Sequence, residues 1–175
     1  MTPRFVFPRL MLILGLWSLL GPVLAQDNTL YTVHVGPEMQ LRALGGPRTA
    51  THPMTAANVT FANQNWQAKT SSGTGSTVQF QSDHAFHNPP NAIYKRDVRL
   101  QLTQISGTAS SGWQFDTVAD TTNYAAGDET ATVEVSCRRP GNAIIKMNVI
   151  FITGNLATLM GGQYQMTVVG TISEN

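Results

Sequence analysis

Cysteine is almost missing from this sequence: Cys137 is the only one in 175 residues. A lone cysteine closes no internal disulfide, so the fold must be held by its core. Charge is scarce too, at 12% of residues. No basic stripe is present that could neutralise a phosphate backbone, which argues against nucleic acid as a partner. Helical periodicity is also wanting, and no long helix is expected. The chain holds one long apolar run, Leu10 to Leu20. It is about half of the ~20 residues that a membrane-spanning helix needs.

That run has a setting of its own. Arg4 and Arg9 precede it with no acid between them, Gly21-Pro22 breaks it, and Val23-Leu24-Ala25 ends it on a small residue. A basic start, a short apolar stretch and a small residue at the cut are the layout of a Sec-type signal peptide. Residues 1–25 are therefore expected to be cleaved. A single domain over 26–175 remains, with no transmembrane anchor after cleavage. No Cys follows Ala25, so no lipid anchor is indicated there. Loss of Arg4 and Arg9 turns eleven basic residues into nine against ten acids, so the net charge moves from +1 to −1. The expected location is periplasmic, secreted or at the cell surface.

What the chain does have is period-two patterning, punctuated by Gly, Pro, Asn and Ser. Leu30–Val35 alternates. Met39, Leu41 and Ala43 continue after Gly36-Pro37, and Ala57, Val59 and Phe61 share a face. Val78 and Phe80 mark another strand, as do Val98, Leu100 and Leu102. Trp113 and Phe115 begin the next. Ala131, Val133, Val135 and Cys137 alternate with polar residues, which places the thiol on an apolar face as an inert small hydrophobe. Ala143–Ile152 is apolar on both faces, as in a strand covered by a partner. The last strand turns Tyr164, Met166, Val168 and Ile172 one way. The pattern predicts an all-β chain: an antiparallel β-sandwich of about eight strands, Greek-key, Ig-like or jelly-roll-like. A closed barrel is the alternative that patterning does not separate from it.

Chemistry is harder to find. His84-Ala85-Phe86-His87 holds the only close histidine pair, and Asp83 could add a carboxylate. Residues three apart on a strand face opposite ways, so a loop would have to bring both rings to one metal. A blue-copper site needs a His shortly after the Cys, and no His follows Cys137. No Gly-x-Ser-x-Gly elbow occurs. Asp116, Asp120, Asp128, Glu129 and Glu134 supply acids for sugar hydrolysis without any pairing that singles two out. No cofactor is implied, and the chain reads as non-enzymatic. Trp66 with Tyr94 or Tyr124 could form an aromatic platform for a glycan. Ile144, Ile150 and Ile152 on the second face of their strand could form an interface for self-assembly or for another envelope protein.

Pro140-Gly141-Asn142-Ala143-Ile144-Ile145, the apolar strand to Phe151, and Gly161-Gly162-Gln163-Tyr164 running into Met166-Thr167-Val168-Val169-Gly170-Thr171-Ile172 form the C-terminal third. This ending resembles that of small bacterial surface sandwiches, including pilin-like and WxL-type cell-surface domains. The paired cysteines common in pilins are missing, and there is no WxL motif. The resemblance implies an exported adhesive or structural subunit and carries over no functional residue. The function expected from the sequence is that of a non-enzymatic structural, adhesive or interaction protein of the bacterial envelope. A carbohydrate-binding module is the alternative, and a secreted metal protein or hydrolase is the second.

Overall fold

The computed structural model describes residues 32–33 and 38–175. The chain divides into two units, 1–34 and 35–175, and the strands and core belong to the second. The export segment expected over 1–25 lies outside the described residues. Of the strand expected over Leu30–Val35, only Thr32 and Val33 are described, and neither is in a strand.

Eleven strands run through the described residues: β1 (Met39–Ala43), β2 (Val59–Thr70), β3 (Ser76–Ser82), β4 (Phe86–Asn88), β5 (Asn91–Arg96), β6 (Val98–Gly107), β7 (Gln114–Thr117), β8 (Ala119–Thr121), β9 (Thr132–Cys137), β10 (Gly141–Phe151) and β11 (Val168–Glu174). One antiparallel sheet has the order β1-β2-β10-β6-β8 and a second the order β11-β3-β9-β7, while β4 and β5 form a separate hairpin. The fold is thus an all-β sandwich with nine strands in its two sheets.

Alternation builds the core. On β10 the buried residues are Ala143, Ile145, Met147, Val149 and Phe151; on β9 they are Val133, Val135 and Cys137; on β3 they include Val78 and Phe80. Each inward face buries the other, and each large apolar side chain contributes roughly 1.5–3 kcal/mol by leaving water. Trp66 of the first sheet meets Phe80 of the second with ring centroids 5.1 Å apart. Cys137 is buried, as its place in the alternation predicts.

Two bulges shift the alternation within single strands. In β2 the inward residues are Val59 and Phe61, then Trp66, Ala68 and Thr70. The phase changes at Asn63, which has φ 56° and donates its N–H to the Asn148 side-chain oxygen at 3.1 Å, where the β10 register shifts between Met147 and Val149. Asparagine tolerates that left-handed conformation, and one extra residue flips every later side chain to the other face. In β6 the inward set runs Val98, Leu100, Leu102 and then Ile105, past a register shift opposite Lys146 and Met147.

Apart from β1 to β2 and the hairpin, consecutive strands lie in different sheets. The chain from β9 to β10 is therefore an arch between sheets rather than a hairpin. At the β1 edge, Gly170 of β11 lies so near that a Cβ there would come within 2.8 Å of Leu41 and 3.1 Å of Trp66. At the other end of β3, Gly75 has φ 90°, and a Cβ would fall 2.0 Å from the Cys137 carbonyl oxygen. Only glycine satisfies both demands there.

Candidate functional site

Beyond Ala43 the chain leaves β2, held at first by the Leu44 N–H on the Asn65 carbonyl at 2.8 Å. It returns at Val59. The segment between them is one wall of a cavity, and residues 159–167, just before β11, are the other. The volume is about 830 Å³. A smaller cavity of about 360 Å³ adjoins it, and Pro47, Arg48, Phe61, Phe86, Met166 and Thr167 line both.

The floor is aromatic. Phe151 meets Phe86 at 5.1 Å, Tyr164 at 5.5 Å and His52 at 5.9 Å, and Phe86 lies 6.4 Å from Phe61 between ring centroids. The three Phe151 contacts are edge-on and the Phe86–Phe61 pair is stacked, and both arrangements add to the simple burial of the rings. Phe151 is the inward end of β10 and Phe86 starts the hairpin, so the first sheet and the hairpin supply the floor. At the mouth, Met54 and Met160 are exposed.

Hydrogen bonds hold each wall. The Met54 N–H donates to His52 Nδ1 at 3.0 Å. The other ring nitrogen, 2.9 Å from Thr153 Oγ1, therefore carries the proton and donates it. Thr153 Oγ1 in turn donates to the Ala57 carbonyl at 2.7 Å, and the Thr153 N–H donates to the Asn58 side chain at 3.0 Å. Met54 itself has φ 56°, an unfavourable left-handed conformation for a side chain of its kind. On the opposite wall, His87 and Gln165 exchange backbone hydrogen bonds of 3.1 and 2.9 Å. Asp83 accepts the Thr167 N–H at 2.8 Å through its carboxylate and donates its own N–H to the Thr167 carbonyl at 2.9 Å.

Asp83 and His87, singled out as metal ligands, are thus wall anchors by position. His84 and His87 do come together, with Nδ1 atoms 3.3 Å apart and rings nearly perpendicular. The bend at 83–85 supplies the departure from strand geometry that this requires. Asp83, however, lies 3.4 Å from His84 Nε2, on the far side of that ring, and His84 Nδ1 is 2.8 Å from the Ala85 carbonyl. Three ligands do not converge on one point, and among the described residues no group of three His, Cys, Asp or Glu could hold an ion.

The three residues of the expected glycan platform lie on separate elements. Trp66 packs on Phe80 and lines the smaller cavity, Tyr94 belongs to β5, and Tyr124 sits in a single 3-10 turn. Ile144, Ile150 and Ile152 are half-buried, and Ile144 and Ile150 lie on the outer face of β10. Lys146 and Asn148 separate these two on that face, and Gln67 and Ser106 flank Ile144. Three of the five acids that could serve hydrolysis have structural partners: Asp120 accepts the Thr132 N–H at 2.7 Å, Glu134 accepts from Gln79 at 2.9 Å, and Glu129 pairs with Lys95.

Arg48, shared by both cavities, is the one Lys or Arg in their lining, and the lining holds no Asp or Glu. Among the described residues no carboxylate lies within 4.0 Å of its guanidinium. Asn65, which lines the smaller cavity, has a buried side-chain oxygen without a donor. Sequence reasoning missed this site because its lining comes from segments about a hundred residues apart. The local signal was Met54 and Met160, apolar residues standing in loops where alternation has lapsed.

Fold and site together define an all-β antiparallel sandwich with an aromatic-floored cavity whose walls carry both polar and apolar side chains. The chain matches no family model, no curated protein and no solved structure.

Proposed function

We propose that this is an exported, non-enzymatic interaction protein of the bacterial envelope or cell surface, and that it acts by holding a ligand in the cavity at the end of its sandwich. The observation that carries this reading is the cavity itself. Its volume falls within the roughly 300–1,000 Å³ typical of ligand sites, and it combines an aromatic floor with hydrogen-bonding side chains in its walls. Its one histidine has both ring nitrogens engaged in holding the wall. The layout of residues 1–25 supports export, and no helix of the described residues is long and apolar enough to cross a membrane.

Assembly through the isoleucine face has less support, because charged and polar side chains interrupt that face. Expression in a bacterial host, fractionation and intact-mass measurement test the compartment. The expected product begins at Gln26 and is recovered outside the cytoplasm. A full-length chain retained in the cytoplasm would refute export. Light scattering on the purified protein tests the mode of action. A monomer is expected, and concentration-dependent assembly would move the function from the cavity to the outer face of the first sheet.

A further inference from the structure

We infer that the cavity takes an anionic amphiphile: a molecule with an apolar chain or ring body and a single carboxylate-type head. This rests on the reading of the cavity as a ligand site and adds the class of ligand. The body is set by the floor. Phe61, Phe86, Phe151 and Tyr164 present ring surface, and Leu159 and Met166 add aliphatic surface beside them. Against that floor a polar or sugar-like body would lose its hydration without gaining hydrogen bonds, which costs free energy for every polar group buried; the hydrogen-bonding side chains, Thr49, Thr51, Gln163 and Gln165 among them, belong to the walls.

The head is set by Arg48. It is an exposed residue that lines both cavities, with no carboxylate near its guanidinium among the described residues. That leaves a planar fork of donors for an external anion. A Cβ at Gly45 would stand 3.5 Å from its Nη2, so the side chain folds back toward Gly45, which lines the smaller cavity. The left-handed Met54 adds a second, independent observation. Strained backbone in a binding wall is a recurring feature of ligand clamps, and here it turns a flexible thioether side chain into the mouth. Met54 and Met160 flank the entrance as adaptable apolar surfaces that suit either a chain or a fused ring.

The test uses the purified protein and 1-anilinonaphthalene-8-sulfonate, itself a ring-bearing anion. Near-UV circular dichroism and a cooperative melt exclude binding to a partly folded state. Saturable one-site fluorescence is expected, displaced by oleate and by 2-naphthoate, whose relative potency tells a chain source from a ring source. Arg48→Gln is expected to weaken oleate by at least about tenfold, the loss for one charge-assisted hydrogen bond, and oleyl alcohol by no more than about twofold. Met160→Asp, an exposed position at the mouth, is expected to weaken both anions by about tenfold or more through like-charge repulsion. If Arg48→Gln weakens acid and alcohol equally, or neither, the anionic class is wrong while the cavity remains a ligand site. If no probe binds saturably, or if Met160→Asp changes nothing, the cavity reading fails with it.

Discussion

His52 Nε2 stands 2.9 Å from Thr153 Oγ1, a residue 101 positions later in the chain. This bond ties the 44–58 segment to the end of β10, and with it the cavity wall to the central strand of the first sheet. The threonine is fully buried and spends its own proton on the Ala57 carbonyl. Thr153→Val keeps the shape and removes both bonds, which leaves a half-buried imidazole N–H and the Ala57 carbonyl without their protein partner. A loss of about 1–3 kcal/mol is expected, read as a lower urea midpoint with unchanged slope. An unchanged midpoint would show that the wall is not fixed by this bond.

Gly170 lets β11 lie close against Leu41 and Trp66 of the other sheet. Gly170→Ala would press a methyl into Leu41, Trp66 and Phe80, at 2.8, 3.1 and 3.3 Å. Overpacking of this kind costs about 1–3 kcal/mol. Gly161→Ala, with nothing within 4 Å of the added carbon, should stay within about 0.5 kcal/mol of the parent. Thermal unfolding of the two variants side by side checks the contrast.

Asn63 holds the β2 bulge. Asn63→Gly keeps the left-handed conformation without steric cost and should be close to neutral. Asn63→Val places a β-branched residue at φ 56° and should cost about 1–3 kcal/mol. Equal stability of the two variants would mean that the bulge has moved.

Burial pushes the Cys137 thiol up from its ordinary value, and hydrogen bonds from the Ser76 and Arg139 backbone oppose this only in part. The folded chain therefore holds the thiol proton more tightly than the unfolded chain does. This contribution to stability is complete below the unfolded thiol value of about 8.5 and is lost as pH rises toward the higher folded value. A disulfide reagent at pH 8 should find almost no reactive thiol in native protein and one per chain in guanidinium. Rapid labelling of the folded protein would contradict the burial.

The sandwich is legible in the sequence wherever the alternation holds its phase. β9, β10 and the first half of β6 are visible because buried and exposed residues alternate without a break. β2 is legible only as far as Phe61, because the bulge at Asn63 moves the apolar positions from odd to even numbers. The His84–His87 pair is legible as a pair, but its role is not. What Asp83 and His87 hold is the segment 163–167, and that depends on a strand edge about 80 residues away.

The sequence by itself determined the strand character and, where no bulge shifts the phase, which side chains face inward, since both follow from a two-residue period and the hydrophobic effect acting on each strand alone. Tertiary structure decided which strands pair and what the ends enclose. Most consecutive strands lie in different sheets, so apart from β1–β2 and the β4–β5 hairpin each pairing skips at least one intervening strand and no local pattern encodes it. The cavity has the same origin. Phe61, Phe86, Phe151 and Tyr164 meet only because the sheets and the hairpin stack, and Arg48 reaches their edge only where the chain leaves β2.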